Sequence, residues 1–161
     1  LGLKVLVYAP TKTREYLAEF GCEKAETLDE LCEKSDFVSM HCPLIEGVTY
    51  HMMGKEQFIK MKKTAFFINT ARGSVVDEPA LVEALKTGEI RAAAIDVIED
   101  EMTEKSELFG LENCILTPHA AFLSEDSFYE GRYRCLEHLV QRLSEKKEQR
   151  PTNLVNSDVQ Y

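Results

Sequence analysis

The chain has 161 residues, with 28 acidic against 19 basic side chains, a formal net charge of −9 and 44% apolar residues. This balance is ordinary for a globular domain and too apolar for intrinsic disorder. The acidic sign argues against nucleic acids and anionic membranes as partners, because both are polyanions. No apolar run approaches the roughly 18–20 residues that a membrane-spanning helix needs.

The first half of the chain alternates strand and helix patterns. A β-branched run predicts a strand at 4–8, and apolar spacing predicts a helix at 13–20. Thr27 followed by Glu30 forms a capping box that opens a short second helix. The next strand is predicted at 37–40.

The second half repeats this alternation. Strands are predicted at 65–69, 92–95 and 114–116, and a short helix at 54–61. Asp77 is predicted to cap a further helix that Gly88 ends. A long helix is predicted at 124–146. Its apolar stripe is expected to face inward and contains Phe128, Cys135, Leu136, Leu139 and Leu143.

The five cysteines form no CxxC pair, and their number is odd. They are Cys22, Cys32, Cys42, Cys114 and Cys135. This pattern predicts reduced thiols in a cytoplasmic compartment instead of a disulfide framework. The acidic stretch at 99–107 shows no recurring ligand spacing, so no metal site is predicted.

Strands separated by helices of this length predict an α/β fold, a parallel sheet with helices on both faces. In such sheets ligands bind beyond the carboxyl ends of the strands. Four chemically active side chains follow successive strands: Arg72, Asp96, Glu101 and His119. A guanidinium, carboxylates and an imidazole on one edge suit an anionic substrate and a proton transfer.

Each of these side chains also has a simpler interpretation. Arg72 and Glu101 are explained as solvated loop charges, and His119 as a helix cap. Asp96 is harder to explain in this way, because a buried carboxylate is costly without a partner. The functional interpretation depends on all four residues reaching the same edge. His41 and His51 lack such support and are interpreted as structural or surface residues.

Four segments of the sequence resemble the D-isomer-specific 2-hydroxyacid dehydrogenases. They are SDFVSMHCPL, FFINTARGSVVDEPALVEALKTGEI, AAAIDVIEDE and ILTPHAA, in the family's order and spacing, and they cover most of residues 36–123. The resemblance implies the C-terminal part of the family's NAD(P)-binding domain. It further implies an oxidoreductase that, as part of a longer parent, transfers hydride between NAD(P)H and C2 of a small 2-keto or 2-hydroxy acid.

The resemblance also implies roles for individual residues. Arg72 would bind the substrate carboxylate, His119 would be the general acid–base, and Glu101 would pair with its imidazole. Asp96 would hold the nicotinamide side of the cofactor. The remaining residues lining the dinucleotide would be Cys42, Pro43, Thr70 and Ala71, with Arg72 and His119 beside them.

Two departures from the family pattern qualify these expectations. No G-x-G-x-x-G precedes the first strand, so we expect an incomplete Rossmann-like doubly wound domain at 1–150 that lacks its first βα unit. Residues 151–161 would be a tail returning to an absent substrate domain. Ala9 stands where the family usually has an acid for the ribose 2′-hydroxyl, so NAD is expected and NADP is possible.

The partners and alternatives follow from the same resemblance. We expect a small 2-keto or 2-hydroxy acid as substrate and a symmetric homodimer. This chain alone is expected to bind dinucleotide weakly and to be inactive. One alternative is a dinucleotide-sensing protein like the carboxyl-terminal binding corepressors, which keep a similar PHAA segment, although this chain has no Trp. The other is an inactive fragment.

Overall fold

The structure is a computed structural model that describes residues 2–102 and 105–143. The chain divides into two compact units, of which the first ends at Ala121 and the second begins at Phe122. The predicted tail at 151–161 lies outside the described residues.

The first unit contains the predicted alternation of strands and helices. Its strands are β1 (Val5–Val7), β2 (Cys22–Lys24), β3 (Phe37–Met40), β4 (Phe66–Asn69), β5 (Ala92–Ile95) and β6 (Cys114–Leu116). Its α-helices are α1 (Arg14–Ala18), α2 (Leu28–Lys34), α3 (Lys55–Lys60) and α4 (Glu78–Thr87), and 3-10 turns occur at Gly73–Val75 and Glu107–Gly110. The strand β2 was not predicted, because its Cys-Glu-Lys sequence shows neither a β-branched nor an aromatic residue.

All strand pairs are parallel, and they form two ladders. One joins β1 to β2, and the other has the order β3-β4-β5-β6. Among the described residues no ladder joins β1 to β3. The doubly wound order 3-2-1-4-5-6 has its central strand at that position.

The core lies on one face of the four-stranded sheet. Alternate strand residues such as Val38, Phe67 and Ala93 are buried there together with side chains of α2, α3 and α4. Phe58 of α3 meets Phe67 edge to face, with ring centroids 5.2 Å apart. The opposite strand positions are more open, and Ile115 on that side is 69% exposed.

The predicted caps at Thr27, Asp77 and Gly88 are confirmed, whereas α1 ends at Ala18, before the predicted end at residue 20. The Thr27 hydroxyl accepts the N–H of Glu30, and the Asp77 carboxylate accepts the N–H of Ala80. Gly88 ends α4 in the left-handed region, with φ of 73°. These local contacts fix where α2 begins and where α4 begins and ends.

The second unit contains α5 (Glu125–Leu143). Two reciprocal Ser124–Ser127 contacts begin it, each hydroxyl accepting the other residue's N–H. Within the second unit no residue of α5 is buried, and the predicted inward stripe stays a prediction. The spacing of apolar residues identifies the face of a helix that can be covered by another surface. It does not identify the surface that covers that face. None of the helices described is both long and apolar enough to span a membrane.

Candidate active site

The carboxyl ends of β4, β5 and β6 meet at one edge of the sheet. Asn69 pairs with Ile95, and Ile95 pairs with Leu116, so the three strands end in one row. Parallel strands lie about 4.8 Å apart, which separates the ends of β4 and β6 by roughly 10 Å. The topology therefore brings the segments that carry Arg72, Asp96 and His119 to one edge, as the sequence predicted.

Asn69 shapes the loop that carries Arg72. This side chain is 1% exposed, its amide N–H donates to the Arg72 carbonyl at 2.9 Å, and its amide oxygen accepts the Ala71 N–H at 3.0 Å. A buried amide with both functions satisfied is a rigid support. Sequence reasoning missed this role. The available signal was a polar residue at the end of the apolar run Phe66-Phe67-Ile68.

Arg72 presents its guanidinium at the surface. The residue is exposed, and its Nη1 donates to the adjacent Ala71 carbonyl at 2.6 Å. One hydrogen bond uses one of the five N–H donors of a guanidinium. The remaining donors suit two-point binding of a carboxylate.

Gly73 follows Arg72 and packs directly on the segment after β5. A Cβ built at Gly73 would lie 1.8 Å from the Ile98 carbonyl oxygen and 2.6 Å from the Glu99 nitrogen. Real Cβ atoms do not approach backbone so closely, so a larger residue would separate the two segments. Gly73 is therefore required for the loop after β4 to contact the acidic loop after β5.

Asp96 is a buried carboxylate that holds the loop after β6. It is 5% exposed and accepts the Thr117 hydroxyl at 2.5 Å and the N–H groups of Ala120 and Ala121 at 2.9 Å each. Burial by itself raises the pKa of Asp96. These hydrogen bonds and the charge of His119 outweigh burial, so its pKa lies below the ordinary value.

His119 and Glu101 form the pair that the sequence resemblance implied. His119 Nδ1 lies 3.0 Å from Glu101 Oε2, and the side chains are 43% and 44% exposed. The His119 backbone is in the left-handed region with φ of 51°, and its N–H donates to the carbonyls of Asp96 and Thr117. Because an ionised carboxylate only accepts, Nδ1 carries the proton in this contact.

The predicted cofactor-lining residues lie beyond β3 and β4. Thr70 and Pro43 are exposed, and Ala71 and Cys42 are half-buried. The pKa of the Cys42 thiol is raised by burial, so this side chain is a neutral group at ordinary pH. Buried Thr49 donates its hydroxyl to the Pro43 carbonyl and accepts the Ile45 N–H, both at 2.7 Å, which fixes the turn after Cys42-Pro43.

These four residues form an uncharged surface at two adjacent strand ends, with a hydroxyl at Thr70. That chemistry fits the ring and ribose of a nicotinamide cofactor. Among the described residues, no cluster of three or more His, Cys, Asp or Glu side chains is arranged to hold a metal ion.

Comparison with known proteins identifies the family of this chain. The family profile "D-isomer specific 2-hydroxyacid dehydrogenase, NAD binding domain" matches residues 1–121. A glyoxylate reductase of Korarchaeum cryptofilum is 44% identical over 160 residues, which is 98% of this chain and 46% of the relative. The chain thus spans about half the length of the curated relatives it matches.

Two solved structures are similar in backbone as well. A D-isomer-specific 2-hydroxyacid dehydrogenase from Lactobacillus delbrueckii ssp. bulgaricus, in its NAD-complexed form, has a TM-score of 0.82 at 32% identity. The alignment covers 96% of this chain and 49% of that chain. An acyclic imino acid reductase in complex with NADPH and D-Arg has a TM-score of 0.78 at 29% identity, covering 94% and 46%.

Proposed function

This chain belongs to the D-isomer specific 2-hydroxyacid dehydrogenase family, and from that premise we propose that it carries the acid–base and cofactor side of an enzyme interconverting small 2-keto and 2-hydroxy acids. The contact between His119 and Glu101, at the edge where Arg72 also emerges, is the observation that carries the proposal. When bound, the nicotinamide cofactor supplies or accepts the hydride.

In this proposal His119 moves the proton. Glu101 accepts the Nδ1–H, which orients the imidazole ring. His119 then donates a proton from Nε2 to the oxygen at C2 as the keto group is reduced. In the reverse direction the same nitrogen takes the hydroxyl proton.

Arg72 binds and orients the substrate. Its exposed guanidinium is matched in charge and shape to the carboxylate of a 2-keto acid. The Asn69 amide fixes the backbone on both sides of Ala71, so the guanidinium extends from a rigid loop. A positive charge beside the C2 oxygen also stabilises the negative charge that develops there.

The cofactor surface comprises Cys42, Pro43, Thr70 and Ala71. Asp96 acts in this proposal through the loop that it holds: its three accepted hydrogen bonds set Thr117, Ala120 and Ala121, and thereby His119 between them. The side chain follows the carboxyl end of β5, and we propose that it faces the nicotinamide side of the cofactor, as the family resemblance implies.

We propose NAD as the cofactor, with NADP also accepted. Ala9 carries no carboxylate to repel a 2′-phosphate. The two nearby cations have other contacts, since Arg14 pairs with Glu26 at 2.5 Å and the Lys12 ammonium lies 4.8 Å from the Tyr16 ring centroid. These contacts favour NAD, because the two cations are engaged within the chain.

A substrate panel tests the proposal. The full-length protein encoded by the reading frame that contains this chain is mixed with NADH or NADPH and with glyoxylate or other small 2-keto acids. We expect cofactor oxidation with at least one acid, glyoxylate first, and a higher kcat/KM with NADH. Cofactor binding without turnover across the panel would contradict the enzyme and support a dinucleotide-sensing protein.

A further inference from the structure

A second histidine–glutamate contact lies in the first unit, outside the site proposed above. His51 Nε2 is 2.6 Å from Glu99 Oε1, and the side chains are 31% and 28% exposed. The sequence analysis interpreted His51 as a structural or surface residue. The partner it finds in the structure is two positions before Glu101, on the same acidic loop.

The His51 end of this contact is held by backbone and ring contacts. Its N–H donates to the Ser74 carbonyl at 2.9 Å, and its imidazole stacks on the Tyr50 ring at 3.9 Å. Met53 extends the attachment, because its N–H donates to the Val75 carbonyl at 3.1 Å. The imidazole therefore projects from a segment that is bound to the chain just after Arg72.

The Glu99 end is attached to α4. The Glu99 N–H donates to one carboxylate oxygen of Glu78 at 3.0 Å, and the other oxygen accepts the Ser106 hydroxyl at 2.6 Å. Glu78 thus bridges two points of the acidic loop. Immediately before Glu99, the Ile98 carbonyl packs on Gly73.

Glu101 follows Glu99 by two residues on the same loop and is a side chain that needs support. Glu101 is 44% exposed, so holding it in one rotamer costs conformational entropy, and its position depends on the backbone that precedes it. From this arrangement we propose that His51 and Glu99 are positioning residues, whose hydrogen bond holds the 98–101 loop on the Gly73 turn so that Glu101 meets His119. The inference rests on the proposed dehydrogenase function.

Two substitutions at one position separate the contact from the fold. In His51→Asn the shorter amide does not reach the Nε2 position, while Asn tolerates the left-handed backbone that His51 adopts with φ of 49°. In His51→Gln the amide nitrogen lies near the Nε2 position and keeps the donor. We expect His51→Asn to lower kcat by up to about 10²-fold, as a displaced catalytic group does, and His51→Gln to recover most of it.

Two further readouts distinguish positioning from general destabilisation. The Kd for NADH and the melting temperature should stay near the wild-type values. Lys55→Ala, which removes the 3.0 Å ion pair to Glu83 between α3 and α4, is the matched control and should leave kcat unchanged. Equal losses of kcat in His51→Asn and Lys55→Ala would overturn the proposal.

A double-mutant cycle with Glu101 completes the test in the full-length protein. If His51 acts through Glu101, His51→Asn should have little further effect on kcat once Glu101→Ala is present. Amide hydrogen exchange at 98–101 should be faster in His51→Asn, and this readout does not require turnover. Additive losses or unchanged exchange would overturn the positioning role. A wild-type protein that reduces no 2-keto acid would overturn the proposed function and the positioning role with it.

Discussion

The two histidine–glutamate pairs of the first unit are chemically alike and structurally different. His51 and His119 both adopt positive φ, and each contacts a glutamate of the same acidic loop. The His51–Glu99 pair is the less exposed and uses Nε2. The His119–Glu101 pair is nearly half exposed and uses Nδ1.

The ring nitrogen used in each contact is consistent with two different roles for glutamates of the same acidic loop. Nε2 is the ring nitrogen farther from the backbone. In His51 this nitrogen contacts Glu99. In the function proposed above, His119 exchanges a proton through Nε2, which is not the ring nitrogen that contacts Glu101. Both partners are glutamates, so the two proposed roles, positioning by His51 and acid–base catalysis by His119, differ in the ring nitrogen that contacts the glutamate.

The largest expected effect comes from His119. An Asn amide lies near the Nδ1 position, so His119→Asn keeps a donor to Glu101 and tolerates the left-handed backbone, but it has no second nitrogen to carry the proton. We expect kcat to fall by about 10²–10⁴-fold, the usual contribution of a positioned general acid. Steady-state kinetics on the full-length protein measures this. A loss in His119→Asn no greater than in His51→Asn would remove the distinction between the pairs.

Much of this site can be predicted from the sequence, because the strand ends that carry it are marked by short apolar runs. The strand ends at Asn69, Ile95 and Leu116 could be located from apolar runs, and a parallel sheet brings such ends to one edge. Side chains that act across long separations could not be located. His51 and Glu99 are 48 positions apart, and nothing in either neighbourhood indicates the contact.

The same reason explains the other omissions. Gly73 was part of a recognised segment, but the carbonyl that excludes a side chain there belongs to Ile98, in another loop. The strand β2 is recognisable only by its pairing with β1. The apolar stripe of α5 was identified correctly as a pattern, whereas its burial depends on a partner surface that no helical spacing specifies.

Arg72 should give the next largest effect, and on binding more than on proton transfer. Arg72→Ala removes a charged two-point contact to the substrate carboxylate, and hydrogen bonds to charged groups contribute about 1.5–3 kcal/mol each. We expect kcat/KM to fall by at least about 10-fold, largely through KM, since 1.4 kcal/mol corresponds to tenfold. Arg72→Lys keeps the charge and should recover part of the loss. An unchanged KM in Arg72→Ala would show that the carboxylate binds elsewhere.

A substitution at Gly73 tests the close packing between the loop after β4 and the acidic loop that carries Glu99 and Glu101. Gly73→Ala places a methyl group against the Ile98 carbonyl, and such overpacking costs typically about 1–3 kcal/mol. We expect a lower melting temperature together with a loss of kcat, because the acidic loop must move away. Gly131→Ala in α5 is the matched control, since a Cβ there has no neighbour within 4 Å. Equal melting temperatures for the two variants would contradict the close packing.

The smallest expected effect is a pH dependence of the melting temperature, caused by Asp96, which holds the loop that carries His119. The folded-state pKa of Asp96 lies below its ordinary value of 3.8, so the carboxylate stabilises the fold above that pH. This stabilisation is lost as the pH falls below 3.8 through the folded-state pKa. Asp96→Asn lacks the ionised acceptor for the Ala120 and Ala121 N–H groups, so it should melt at a lower temperature than wild type at neutral pH.

The gap between the two melting temperatures should narrow as the pH falls below 3.8, because wild type alone loses the Asp96 contribution there. Other carboxylates titrate in the same range, including half-buried Asp29 beside Lys60, but they are common to both proteins and cancel in the difference. A gap that stays constant with pH would mean that Asp96 holds the 117–121 loop by shape and not by charge. The loop that carries His119 would then be held by neutral contacts.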